Sequence, residues 1–235
     1  MEILTKRAEF GDETENPAYP QFHPTRNTGF FHRAVNMQKP LILASGSEIR
    51  LTLLRNAGLV PEVVPARIDE ENIQAALRAE GALPREIADA LAEGKARKVS
   101  LKHPGALVLG CDQILELKGE IFSKATSEAE ALQQLQKLRG QQHKLLSAAV
   151  IYEDGKPVWR HIGEVRLRMR QASDAYLQDY VSRNWHSIRH AVGCYKLEEE
   201  GVRLFTHVSG DYFNVLGLPL LEVLSYLTLR GDLPG

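Results

Sequence analysis

The chain has 235 residues and is 43% hydrophobic, which is enough to bury the core of one domain or of one domain in two lobes. Its 29 basic and 30 acidic residues balance, whereas a dedicated binder of nucleic-acid polymers or of membrane surfaces carries a basic excess. Two cysteines are too few for a zinc ribbon or a disulfide framework, and no apolar run reaches the length of a membrane span. A cytoplasmic, soluble protein is expected.

The first 37 residues differ from the rest of the chain. They contain several prolines and glycines and lack sustained periodicity, and Met37 stands directly before the first strand pattern. We expect residues 1–37 to be an N-terminal extension, poorly ordered or upstream of the natural start, and residues 38–235 to form the functional domain. The alternative is a functional arm, in which Phe30, Phe31 and His32 dock on the body or on a second subunit.

Strand and helix patterns alternate from Pro40 onward. The predicted strands are 41–44, 59–65, 107–110, 114–117, 120–122, 144–152, 157–169 and 202–205. The predicted helices are 48–57, 72–80, 84–100, 127–138, 173–182 and 219–228. Some strands are joined by hairpins and others by helices, which predicts an α/β fold with a mixed, twisted sheet flanked by helices.

The first strand leads into a small turn, Ser45-Gly46-Ser47, and then into a helix that carries Arg50. A glycine lets the backbone approach a ligand, and a helix start offers free N–H groups and the positive end of a dipole. Arg50 can add a bidentate fork for phosphate. This segment predicts a pocket for a phosphorylated small molecule.

Other candidates are ambiguous one by one. Asp112 follows an apolar strand, and a carboxylate at a strand end can bind a divalent metal or accept a proton from water. Taken alone, a solvated turn aspartate is the commoner case. Lys95 and Lys124 are by themselves more typical of surface charges, and Asp69-Glu70 of an acidic helix start.

The order of these segments resembles the Maf family of nucleoside triphosphate pyrophosphatases over residues 41–227. The matching motifs are Ser45-Gly46-Ser47-Glu48-Ile49-Arg50, Asp69-Glu70, Lys95-Ala96, Gly110-Cys111-Asp112-Gln113, Ser123-Lys124-Ala125, the segment 138–143 and the segment 210–219.

The resemblance implies a Maf or ITPase-like fold with two lobes around a nucleotide cleft, and hydrolysis of a nucleoside triphosphate to the monophosphate and pyrophosphate. It implies that Asp112 is the proton acceptor and that Asp112 and Glu70 hold Mg²⁺ or Mn²⁺. The residues it assigns to substrate binding are Ser45, Ser47, Arg50, Lys95 and Lys124. Members of the family are often dimeric, so a homodimer is a further expectation.

The chain also departs from the family pattern. Glu48 stands where proline is usual, and Ser123 and Ala125 replace the glycine and proline beside Lys124. The residues at three specificity positions are Ile49, Gln113 and Glu198, and they resemble the branch of the family that acts on 7-methyl-GTP. Because a carboxylate can accept from guanine N–H groups, we hypothesise a pocket that favours purines. The alternative substrates are dTTP and UTP.

Two other function classes stay open at this point. One is a nucleotide-binding regulator of cell division with little catalysis, and the other is a structural or interaction protein. Release of pyrophosphate in the presence of metal separates the enzyme from both.

Overall fold

The computed structural model of the protein describes Val35 and residues 37–234. The chain divides into a unit of residues 1–32 and a unit of residues 33–235, and the description concerns the second. The predicted extension, including Phe30, Phe31 and His32, therefore lies outside the described residues except for Val35 and Met37.

Seven strands and seven α-helices make up the described part of the chain. The strands are β1 (Leu41–Leu43), β2 (Glu62–Val63), β3 (Leu107–Leu117), β4 (Glu120–Phe122), β5 (Gln142–Glu153), β6 (Lys156–Met169) and β7 (Phe205–Ser209). The helices are α1 (Glu48–Asn56), α2 (Glu70–Ala79), α3 (Pro84–Ser100), α4 (Glu128–Leu138), α5 (Asp174–Ile188), α6 (Tyr212–Val215) and α7 (Leu220–Leu229). Two short 3₁₀ helices, Val192–Cys194 and Glu200–Leu204, lie between α5 and β7.

The strands form one mixed sheet in the order β2-β1-β3-β5-β6-β7, with β4 paired to β3. β1 runs parallel to β2 and β3, whereas the pairs β3–β5, β5–β6 and β6–β7 are antiparallel. The predicted mixed α/β sheet is thus confirmed.

One edge of β3 has a gap between two partner strands. β1 pairs with residues 107–109 of β3, and β4 pairs with residues 115–117. We call residues 110–114, which no other described strand covers on that edge, the notch. Because β1 is parallel and β4 antiparallel to β3, the segments that follow β1 and β4 both lead toward the notch.

The hydrophobic core is divided between the two ends of the sheet, one on each side of the notch. One buried cluster joins β3–β6 to α4 and α5, and includes Leu115, Leu135 and Leu177. Two further clusters cover opposite faces of the sheet at its other end, where α1 and α7 pack on one face and α3 on the other. Side chains alternate along β3, so even-numbered residues such as Gly110 face α3 and odd-numbered residues such as Cys111 face α1 and α7.

Local signals explain the helix starts. The side chains of Ser127 and Ser173 accept from the backbone N–H groups of Glu130 and Tyr176, which caps α4 and α5. Pro84 occupies the first position of α3, where its missing N–H removes no helical hydrogen bond.

Three strand predictions were wrong. The predicted strand 202–205 is instead the end of a 3₁₀ helix, and β7 begins at Phe205. The predicted strand 59–65 contains only the two residues of β2. The predicted break at Cys111 and Asp112 is absent, because β5 pairs with β3 continuously from Leu107 to Glu116.

Among the described residues, none of the helices combines the length and the apolar composition that crossing a membrane requires.

Candidate active site

The turn after β1 is held together by Arg50. Its Nε donates to the carbonyl oxygen of Gly217 (2.8 Å), and its Nη1 donates to Ser45 Oγ (3.1 Å) and to the carbonyl oxygen of Cys111 (3.0 Å). The backbone N–H of Ser47 also donates to Ser45 Oγ (3.3 Å). Arg50 therefore links the turn to the notch and to the segment before α7, and these protein oxygens occupy part of the fork that the sequence assigned to phosphate.

Asp112 lies in the middle of the notch, on the face of β3 that α3 covers. Lys95 Nζ, on α3, donates to Asp112 Oδ1 at 2.6 Å and lies 2.9 Å from Glu70 Oε1, in the first turn of α2. The side chains of Lys95 and Asp112 are 10% and 8% exposed, whereas that of Glu70 is 48% exposed. The interpretations of Asp112 as a solvated turn residue and of Lys95 as a surface charge are therefore wrong.

The environment of Asp112 alters its acidity. Burial raises its pKa above the ordinary range of aspartate, and the nearby charge of Glu70 acts in the same direction. The ammonium of Lys95 and the guanidinium of Arg50 oppose this rise because they stabilise the carboxylate. A carboxylate with a raised pKa, beside one buried cation, is suited to accept a proton from water.

Lys124 lies in the exposed segment between β4 and α4. The residues on either side of it are fixed: Gln134 Nε2, on α4, donates to the carbonyl oxygen of Ser123 (2.9 Å), and Ala125 is buried in the core. These two contacts therefore hold the segment in place although it lacks the glycine and proline of the family pattern. Because β4 runs antiparallel to residues 115–117 of β3, the chain that follows β4 and contains Lys124 leads toward the notch.

Gln113 points to the opposite face of β3 from Asp112. Its Nε2 contacts Ser147 Oγ (3.0 Å), on β5, and the carbonyl oxygens of Asn214 (2.9 Å) and Val215 (3.0 Å), on α6. Ser147 Oγ in turn donates to the carbonyl oxygen of Asn214 at 2.6 Å. The residue next to Asp112 is thus connected to α6 through a closed set of hydrogen bonds.

The other two predicted specificity residues differ from Gln113 in their surroundings. Ile49 is half-buried and packs against the core cluster of α1 and α7. Glu198 is exposed, and its charge adds to the effect of burial in raising the pKa of Tyr212, at the start of α6. Contact of either residue with a substrate stays a prediction.

Two anchoring residues, Gln134 and Ser147, lay outside the sequence-based candidate set, and Asn214 belonged to the matching segment 210–219 without a role of its own. Gln134 shares the inward face of α4 with Ala131, Leu135 and Leu138, and a polar residue in an apolar stripe is a usable signal. Ser147 and Asn214 are 34 and 101 residues from Gln113, and no local pattern indicates that pairing.

The donor set near Asp112 fits a hard divalent cation only with help from a ligand. Asp112 and Glu70 supply carboxylate oxygens, but no group of three or more His, Cys, Asp or Glu side chains within the described part of the chain could hold a metal. Mg²⁺ is commonly bound through one or two carboxylates together with substrate phosphates and water. The two carboxylates therefore fit such an ion if phosphate oxygens complete its shell.

Comparison with known proteins decides the family. The family model described as "Maf-like protein" matches residues 40–229. The chain belongs to the Maf family.

Curated relatives of this Maf protein include nucleoside triphosphate pyrophosphatases and 7-methyl-GTP pyrophosphatases. The nucleoside triphosphate pyrophosphatases of Roseobacter denitrificans and Ruegeria pomeroyi are 68% and 65% identical, over 84% and 83% of this chain and 100% and 98% of the relatives. The 7-methyl-GTP pyrophosphatase of Mesorhizobium japonicum is 43% identical over 85% of this chain and 100% of that protein. The family resemblance and the Maf-like α/β fold predicted from the sequence are thus confirmed.

Proposed function

We propose that this Maf protein hydrolyses nucleoside triphosphates to nucleoside monophosphates and pyrophosphate. The single observation that carries the proposal is the buried Asp112 in the notch, with Lys95 Nζ at 2.6 Å. The names of the relatives supply the reaction class, since those of highest identity among the three compared are nucleoside triphosphate pyrophosphatases.

Asp112 is the proton acceptor in this proposal. The oxygen of a water molecule forms a bond to phosphorus, the proton of that water passes to Asp112, and the anhydride bond between the α- and β-phosphates breaks. Pyrophosphate leaves with the electrons of that bond. Lys95 favours the ionised form of Asp112 against the effect of burial, because a nearby cation offsets part of the cost of a buried carboxylate.

The phosphates bind along the segments that converge on the notch. Ser45 and Ser47 supply hydroxyl and backbone groups at the start of α1, and Arg50, Lys95 and Lys124 supply positive charge. The Nε and Nη1 groups of Arg50 donate to protein oxygens. Arg50 therefore contributes to phosphate binding mainly through its positive charge and through hydrogen bonds from Nη2. Asp112 and Glu70 would hold Mg²⁺ or Mn²⁺, which when bound neutralises charge on the phosphates.

The decisive assay measures pyrophosphate release from a panel of nucleoside triphosphates with Mg²⁺ or Mn²⁺. We expect Asp112→Asn to lower kcat by about 10²–10⁴-fold, the usual contribution of a positioned general base. The fold is retained, because the asparagine oxygen still accepts from Lys95. Circular dichroism and the melting temperature check the fold.

Asp154→Asn is the matched control. Asp154 lies in the turn between β5 and β6, where its Oδ1 accepts from the backbone N–H of Gly105. This variant is expected to turn over substrate at the wild-type rate. Near wild-type turnover by Asp112→Asn would refute the role of Asp112, and tight nucleotide binding without pyrophosphate release by the wild type would favour a regulator.

The preferred base is a finer part of the proposal. The hypothesis of a purine-favouring pocket rests on Ile49, Gln113 and Glu198, and a clear preference for dTTP and UTP would contradict it. A cytoplasmic location and a homodimer likewise stay predictions, which fractionation and sedimentation would test.

A further inference from the structure

The orientation of the Gln113 carboxamide follows from its hydrogen bonds. Two of the three partners of Nε2 are carbonyl oxygens, which can only accept. The third is Ser147 Oγ, whose single proton goes to the carbonyl oxygen of Asn214. All three partners therefore require a donor, and the opposite orientation would place Oε1 against three oxygen atoms.

The acceptors themselves are fixed. Asp211 caps α6 by accepting from the backbone N–H groups of Phe213 (3.3 Å) and Asn214 (3.2 Å). α6 also packs tightly on β6, where a Cβ at Gly163 would lie 1.9 Å from Asn214 Oδ1. Ser147 is fully buried on β5. The carboxamide nitrogen is therefore held by a rigid frame rather than by mobile side chains.

The carboxamide oxygen is the atom that remains for a ligand. No donor from the described part of the chain reaches Oε1, and this atom is not among the buried side-chain atoms that lack a partner. Gln113 is half-buried at the notch, directly beside Asp112. The side chain thus offers the site an acceptor and no donor.

We propose that Ser147 and the carbonyl groups of Asn214 and Val215 are positioning groups that hold Gln113 Oε1 toward the ligand, so that the site reads a nucleobase through a fixed hydrogen-bond acceptor. The proposal rests on the proposed function, because it takes a nucleotide as the ligand. The bases that fit are those with an exocyclic amino donor at the contacted edge.

Matched nucleotide pairs test this acceptor. GTP and ITP, ATP and purine riboside triphosphate, and CTP and pyrimidin-2-one riboside triphosphate each differ by one exocyclic amino group. We expect the protein to bind the amino-bearing member of at least one pair about five- to tenfold more tightly, the effect of one neutral hydrogen bond. Equal binding within all three pairs would overturn the proposal.

Ser147→Ala tests the positioning role. Without the hydroxyl, Gln113 keeps only the two carbonyl acceptors and Asn214 loses a donor, so the orientation of the carboxamide is less tightly fixed. We expect the preference within the discriminating pair to fall about fivefold, with a higher KM for the amino-bearing nucleotide and an unchanged kcat. In a Gln113→Met background, Ser147→Ala is expected to cause no further change in preference.

Ser100→Ala is the control for loss of a buried hydroxyl. Ser100 Oγ accepts from the backbone N–H of Gly155, remote from Gln113. The Ser100→Ala variant is expected to have a lower melting temperature and an unchanged preference within every nucleotide pair. An equal change of preference in Ser100→Ala, an unchanged preference in Ser147→Ala, or additive effects of Ser147→Ala and Gln113→Met would refute the positioning role.

The binding constants are measured in the Asp112→Asn background, which keeps them independent of turnover. If the wild type releases no pyrophosphate but this background loses its base preference on Ser147→Ala, the proposed function fails and the positioning role stands. If the wild type is an active hydrolase and the base preference survives Ser147→Ala, the proposed function stands and the positioning role fails.

Discussion

Lys95 contacts two carboxylates of different exposure, Asp112 and Glu70. A buried lysine on a helix is costly unless it is paired, and both contacts lie within 3 Å. The sequence carries a signal for this burial, since Lys95 shares the inward stripe of α3 with Ala88, Leu91 and Val99. The stripe predicts that Lys95 faces the sheet, but not which carboxylate it meets, because the partners come from other elements.

Substitutions on either side of Lys95 are expected to move the pKa of Asp112 in opposite directions. Lys95→Met removes a cation that lowers this pKa, so the pKa rises further. Glu70→Gln removes a negative charge that raises it, so the pKa falls. Carboxyl ¹³C NMR of labelled aspartates measures both changes, with the signal of Asp112 assigned by its loss in Asp112→Asn.

Lys98→Met is the control for these titrations. Lys98 lies on α3 one turn after Lys95, is exposed, and donates to the backbone carbonyl of Arg67. We expect no change in the pKa of Asp112 in this variant. A lowered or unaltered pKa in Lys95→Met would show that the ion pair does not control the acidity of Asp112.

Among the elements, α3 and β3 pack closely enough to set the position of Lys95. A Cβ at Gly110 would lie 2.2 Å from the carbonyl oxygen of Ala92 and 2.6 Å from the backbone nitrogen of Ala96. Only a residue without a side chain permits this approach, since backbone atoms cannot move aside as a flexible side chain can. The distance between Lys95 and Asp112 therefore depends on Gly110.

Gly110→Ala is expected to push α3 away from β3. Overpacking of this kind costs about 1–3 kcal/mol of the free energy of unfolding. Because Lys95 moves with α3, kcat is expected to fall about tenfold or more. Urea unfolding and steady-state kinetics measure the two effects.

Gly94→Ala, in the same helix, is the matched control. A Cβ there would lie 3.5 Å from Ile68 Cδ1, which is ordinary contact. Alanine in a helix interior is more favourable than glycine by about 0.5–1 kcal/mol, so this variant is expected to gain stability. A Gly110→Ala variant as stable and active as Gly94→Ala would contradict the close-packing argument.

Elements with a strong local pattern could be predicted, and elements that depend on distant pairing could not. The bounds of α3 match the prediction of 84–100, because apolar periodicity and Pro84 act within the segment. The continuity of β3 through Cys111 and Asp112 comes from its ladder with β5, which joins residues up to 46 positions apart. Small and polar residues in that stretch give no local sign of a strand.

At the scale of the whole molecule, one charged cluster joins three distant points of the chain. Glu153, at the end of β5, pairs with Lys39, just before β1, and with Arg230 Nη1 at 2.8 Å, after α7. Arg230 Nε also donates to Asp232 (2.7 Å), and the backbone N–H of Gln38 donates to the carbonyl oxygen of Asp232 (3.3 Å). The beginning and the end of the described domain are thereby attached to the sheet.

Glu153→Gln is expected to weaken this attachment in a pH-dependent manner. Hydrogen bonds from Arg230 and Lys39 lower the pKa of Glu153 from 4.5 to about 2. A carboxylate with a lowered pKa in the folded state stabilises that state above about pH 4.5, and the contribution disappears as the pH falls toward 2. The variant is expected to lose about 1 kcal/mol of the free energy of unfolding at pH 7 and almost none near pH 2.

Urea unfolding at several pH values measures this difference. Glu120→Gln is the control, because the pair of Glu120 with Lys137 is more than half exposed on both sides and joins only neighbouring elements. A loss of stability in Glu153→Gln that stays constant from pH 7 to pH 2 would show that the ion pairs are not its cause.

Asp112 and Gln113 are joined by one peptide bond, yet the alternation of β3 sends their side chains to opposite faces of the sheet. Asp112 meets α3, and Gln113 meets α6 and Ser147. Under the proposed role of Gln113, substitutions around α6 are expected to alter which nucleotide is accepted while the groups around Asp112 stay intact. A substitution on one face of β3 is therefore expected to affect one of the two proposed roles, whereas a single-residue insertion before Asp112 would exchange the two faces and is expected to remove both roles at once.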